Sequence, residues 1–73
     1  MMWRMYAVAH AGMIQYIRAS SWFNVKREMA RIYGAEFNGI EIEQYKDGTP
    51  RVVYKFYDDR WIYKVAELRE EES

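Results

Sequence analysis

The feature that most restricts the fold is a pair of runs, Arg51-Val52-Val53-Tyr54-Lys55-Phe56-Tyr57 and Arg60-Trp61-Ile62-Tyr63-Lys64-Val65, separated by Asp58-Asp59. β-Branched and aromatic side chains lose rotamer freedom in a helix and pack well on a pleated surface. Side chains alternate between the two faces of a strand. Arg51, Val53, Lys55 and Tyr57 therefore share one face of the first run, and Arg60, Ile62 and Lys64 one face of the second. The pattern predicts a hairpin with an inward face (Val52, Tyr54, Phe56, Trp61, Tyr63, Val65) and an outward face that is cationic and carries tyrosine.

With 73 residues the chain makes one domain, close to the smallest that a hydrophobic core stabilises unaided. It contains no cysteine, so disulfides and thiolate metal sites contribute nothing, and a reducing compartment is expected. Three Trp, seven Tyr and three Phe supply large buried area instead, but seven tyrosines exceed what so small a core can hide. Formal net charge is zero, yet it is uneven. The stretch Glu67-Leu68-Arg69-Glu70-Glu71-Glu72 holds four of eleven acids and one base, leaving ten bases against seven acids over residues 1–66. The expected organisation is a compact domain over 1–66 and a frayed acidic tail over 67–73. No apolar run reaches the about 18–20 residues that span a bilayer. Met1-Met2-Trp3-Arg4-Met5 also lacks the layout of a signal peptide, so a cytoplasmic protein with no membrane association is expected.

Upstream of the hairpin, Trp3 to Ala9 and Met13 to Ala19 read as strands broken at His10-Ala11-Gly12, against a competing single helix from Met5 to Arg18. Ser20 or Ser21 is placed to cap a helix in which Trp22, Val25, Met29, Ile32 and Tyr33 form one apolar stripe. Arg27 and Arg31 fall opposite that stripe with Asn24, and Lys26 lies at the margin. Gly34 follows as a left-handed terminator. Gly39 to Tyr45 alternates apolar and charged residues as a half-buried strand does, with Ile40 and Ile42 expected inward, and Lys46 to Pro50 is a turn. The expected fold is α+β: one helix on a curved antiparallel sheet, in the order β-β-α-β-β-β.

Chemistry is sparse. His10 is the sole histidine, and Ser20 and Ser21 are explained as caps. Glu41 and Glu43 share a strand face but alternate with isoleucines, which points to salt bridges with Arg51 or Lys55. Asp58-Asp59 reads as a turn, and two acids alone make no convincing cation site. No glycine-rich phosphate loop is present. The expectation is a non-enzymatic protein without cofactor or metal. Two basic surfaces remain: Lys26, Arg27 and Arg31 on the helix, and Arg51, Val53, Lys55, Tyr57, Arg60, Ile62 and Lys64 on the sheet. Either the sheet face is solvated and internally paired, or Val53 and Ile62 are the apolar centre of a contact patch rimmed by cations. The same cations could track phosphates of DNA or RNA.

Several segments resemble a family of small anti-CRISPR proteins of phages and mobile elements that act on type I surveillance complexes. The likeness runs from Ile17-Arg18-Ala19-Ser20-Ser21 through Val25-Lys26-Arg27-Glu28-Met29-Ala30-Arg31 and Gly39-Ile40-Glu41-Ile42-Glu43 to Tyr54-Lys55-Phe56-Tyr57-Asp58-Asp59-Arg60-Trp61, about 50 residues in the same element order. The longer Asp47-Gly48-Thr49-Pro50 turn and the acidic tail depart from it. The resemblance implies an inhibitor that binds a host ribonucleoprotein effector and blocks target DNA, with Lys26, Arg27, Arg31, Lys55 and Arg60 as the contacting cations. A nucleic-acid-binding domain, or a structural protein that forms homodimers through an edge strand, are the other roles such a surface fits.

Overall fold

The computed structural model describes residues 3–68. The elements are β1 (Arg4–His10), β2 (Met13–Ala19), α1 (Trp22–Tyr33), β3 (Glu36–Gln44), β4 (Pro50–Tyr57) and β5 (Ile62–Glu67). All five strands form one sheet in the order β2-β1-β5-β4-β3, and every neighbouring pair is antiparallel. The fold is therefore α+β, in the element order that the residue patterns predict. The competing helix over Met5–Arg18 is replaced by a hairpin whose two-residue loop, Ala11-Gly12, has φ of 51° and 75°. Positive φ at both loop positions lets a tight turn follow the twist of its strands.

Helix α1 begins where Ser21 Oγ accepts from the Asn24 N–H at 3.3 Å, while Ser20 Oγ accepts from the Asn24 side-chain amide at 2.6 Å. It ends at Gly34, φ 63°, whose N–H donates to the Ala30 carbonyl at 3.0 Å. Within these limits Val25 and Met29 are fully buried against Tyr6, Val8, Ile17, Ala19, Phe56, Tyr63 and Val65. Trp22 and Tyr33 pack at the margins of this core, and Ile32 is exposed.

The connection that contains the helix joins the two edge strands, β2 and β3, which stand four strand spacings, about 19 Å, apart. Twelve residues of helix rise about 18 Å, whereas nine residues of strand rise about 30 Å. Strands β3 and β4 consequently run on past the first turn of α1. Ile40 and Ile42, expected in the core, lie there on the helix side at 54% and 65% exposure, and Val52 beside them is also exposed.

At the β4–β5 turn, one Asp58 carboxylate oxygen accepts from the N–H groups of Arg60 and Trp61, both at 2.7 Å. This turn consumes Trp61, so β5 starts at Ile62 and Trp61 is half-exposed, not inward as its parity suggested. At its other end β5 extends beyond the expected boundary at 66. Glu67 pairs with Tyr6, and the Leu68 N–H donates to the Met5 carbonyl at 2.9 Å. The rest of the predicted acidic tail, 69–73, lies outside the described residues. Among the described residues no helix is long and apolar enough to cross a membrane.

Candidate interaction surfaces

The sheet face away from α1 carries the cations that sequence patterning singled out, and the register brings two carboxylates among them. Glu43 is directly opposite Arg51, and Glu41 opposite Val53. Arg51 Nη2 lies 3.0 Å from Glu43. Glu41 receives Lys55 at 3.6 Å and Lys64 at 3.4 Å, and Lys64 also reaches Glu43 at 4.0 Å. Lys55 and Lys64 are themselves cross-strand neighbours, so Glu41 separates two like charges. This half of the face is an internally paired ionic lattice of three cations and two carboxylates.

Val53 differs from the expectation of an exposed patch centre. Its side chain is only 2% exposed, although it points away from the helix. Along β4 it sits between Arg51 and Lys55 and across from Glu41. The aliphatic stems of those ion-paired side chains are the atoms at hand to cover it. Ile62 and Tyr57, paired across β4 and β5, are exposed as expected.

The helix cations have a different environment. Arg31 makes a two-pronged contact with Glu28, at 2.8 and 3.1 Å, and that guanidinium holds the Glu28 carboxyl below its ordinary range. Lys26 and Arg27 have no ion pair among the described residues. The Lys26 ammonium lies 6.0 Å from the Trp22 ring centre and 5.8 Å from that of Phe37, a cation–π placement that leaves its charge uncompensated. Arg60, in the turn, lines a cleft of 360 Å³ with Tyr33, Gly34, Asp58 and Asp59 at the C-terminal end of α1. Four of the five cations that the resemblance implies, Lys26, Arg27, Arg31 and Arg60, thus belong to the helix side, while Lys55 belongs to the ionic lattice opposite.

Patterning missed two apolar surfaces. Phe23, 67% exposed, lies one turn before Arg27 on the outer face of α1. On the open sheet face, Met5, Ile14 and Tyr16 are exposed beside Ala7 and Ala9. The signal for the latter was present in the alternation of β2, where Ile14 and Tyr16 on the outward side, followed by Arg18, are as apolar as Ile17 and Ala19 on the inward side. A further cleft of 360 Å³, lined among others by Tyr6, Trp22, Tyr45, Val52 and Tyr54, opens past the first turn of α1. Trp22 stacks on Tyr54 there, with ring centres 4.0 Å apart.

His10 is held in an aromatic cluster. Its Nε2 meets Gln15 Oε1 at 3.0 Å, the same oxygen accepts from the Tyr33 hydroxyl at 2.7 Å, and the imidazole packs 4.7 Å from the Tyr63 ring and 5.1 Å from Tyr33. Asp58 is taken up by the turn, where its second oxygen accepts from the Tyr63 hydroxyl at 2.5 Å. That bond pushes Tyr63 up to about 12 and holds Asp58 below its usual value. Among the described residues no group of three or more His, Asp or Glu is placed to hold a metal ion. No family model, curated protein or solved structure matches the chain.

Proposed function

We propose that the chain is a non-enzymatic binding protein of phage or mobile-element type. It inhibits a host CRISPR effector complex by laying the outer face of α1 over that complex's nucleic-acid-binding surface. One observation carries the choice of face: Arg51, Lys55 and Lys64 are each paired with Glu41 or Glu43, whereas Lys26 and Arg27, beside exposed Phe23, have no ion pair among the described residues. An apolar anchor flanked by such cations combines desolvated area with attraction to the RNA phosphates that a ribonucleoprotein carries beside that surface. The engagement of His10 with Gln15 and aromatic rings, and of Ser20 and Ser21 with the helix cap, supports adhesion without turnover.

The test is target-DNA binding by a purified type I surveillance complex, with added wild-type chain or the variant Lys26→Glu/Arg27→Glu. The variant is expected to fold normally, because both side chains are exposed, and to lose inhibition at least about tenfold through like-charge opposition at the contact. Inhibition equal to wild type would refute the helix-face assignment. Direct binding of the isolated chain to DNA or RNA, falling steeply as salt rises, would replace it with a nucleic-acid-binding role.

A further inference from the structure

We propose that the apolar half of the open sheet face is a self-association surface whose occupant is a second copy of this chain. The face is divided along its width. Strand β2 raises a ridge of Ile14 and Tyr16, 62% and 57% exposed. Beside it the register sets alanines: Ala9 opposite Ile14, Ala7 opposite Tyr16, and Ala66 of β5 opposite Ala7. Ridge and trough are neighbours on one surface, and beyond them lies the ionic lattice of β5, β4 and β3.

Two copies placed face to face about a two-fold axis parallel to the strands, midway between ridge and trough, interlock. Tyr16 of each copy enters the alanine trough of the other at the level of Ala7 and Ala66, because these three residues share one row across the sheet. The contact is isologous, as closed dimers require. The same operation sets Lys64, level with Ile14 and Ala9, at the other copy's β2 edge, and leaves Arg18, level with Met5, at the end of the ridge. Both are long side chains whose charges reach water at the rim, while Lys55, Arg51, Glu41 and Glu43 lie beyond the contact and keep their mutual pairing.

Area supports the same occupant. Three strands about 4.8 Å apart, with about seven residues each rising about 3.3 Å, outline ~330 Å² before side-chain relief is counted. The ridge raises this to on the order of 500 Å² per copy, or about 1,000 Å² in all, the lower end for a specific interface. A dimer of modest affinity follows, with Kd on the order of 10 µM. This surface is on the opposite side of the sheet from the outer face of α1, so it stands or falls separately from the proposed inhibition.

Sedimentation velocity on the full chain from about 2 to 300 µM brackets that Kd and decides. Wild type is expected to pass from monomer to dimer across this range. Tyr16→Lys, which removes the ridge, and Ala7→Lys, which fills the trough, are expected to stay monomeric with unchanged circular dichroism. Should Ala7→Lys fail to fold, Tyr16→Lys still decides, since its side chain is exposed on an edge strand. A wild type that stays monomeric at the highest concentration overturns the proposal. A dimer that survives Tyr16→Lys also does, and moves the contact to a strand edge.

Discussion

Tyr63 and Asp58 show how one side-chain pair ends a strand run and gives the molecule a pH dependence. Asp58 closes the turn through the Arg60 and Trp61 N–H groups, and the Tyr63 hydroxyl adds a third donor. All three favour the carboxylate, with the Tyr63 bond the largest, so Asp58 titrates below its ordinary value in the folded chain. The resulting stabilisation is complete above the unfolded value of about 4 and is lost as pH falls through the lower folded value. Tyr63 behaves in the opposite sense: its stabilising neutral form persists as pH rises past 10 and is lost through about 12. Tyr63→Phe removes the donor, so its acid-unfolding midpoint, followed by circular dichroism, is expected at higher pH than that of wild type. An unchanged midpoint would mean that the turn holds Asp58 ionised without the phenol.

Among the elements, β3 carries the most consequence for the surface. Its register shifts between Phe37 and Gly39, leaving Asn38 unpaired, and Gly39 adopts φ 133°, which L side chains rarely take up. The extra residue puts both Phe37 and Ile40 on the helix side despite their odd spacing, and so turns Glu41 and Glu43 toward the cations. Those carboxylates decide the electrostatics of the sheet. Glu41→Gln leaves Lys55 and Lys64 facing each other across β4 and β5 with their shared counter-charge gone. Such an exposed lattice is worth about 0.5–1 kcal/mol, so the urea midpoint of Glu41→Gln is expected to fall by that equivalent at low salt. Screening should shrink the difference at ~1 M salt, where the Debye length is about 3 Å. A deficit that does not respond to salt would point to packing over Val53 instead of charge.

The whole molecule is a single sheet with one side under a helix and the other open. A sheet gains most when both faces are covered, and one helix cannot cover two. The two sides are chemically distinct: outside α1 lie Phe23 and, without an ion pair among the described residues, Lys26 and Arg27; opposite lie an apolar ridge and trough and an ionic lattice of three cations and two carboxylates. If the open side is occupied by a second copy, folding and association are linked, and the thermal midpoint should rise with protein concentration. Calorimetry over a hundredfold dilution series would show this, whereas a midpoint independent of concentration would be that of a self-sufficient monomer. A dimer of this kind presents two α1 faces outward, so the proposed inhibitor would be bivalent.

Local chemistry was enough to read the element order. Apolar periodicity marks α1, Ser21 and Gly34 bound it, and the runs on either side of Asp58-Asp59 are strands because branched and aromatic side chains favour a pleat. Sequence patterning also found the cations and the carboxylates of Glu41 and Glu43, because charge and parity are properties of single residues. It did not show which cations are neutralised, for that depends on Glu43 standing opposite Arg51 and on Lys64 reaching across from a strand nearly twenty residues later. Nor could it show that Ile40 and Ile42 are left outside the core. That outcome follows from a short helix laid on a sheet with longer strands, a matter of relative lengths that no local stretch of residues contains.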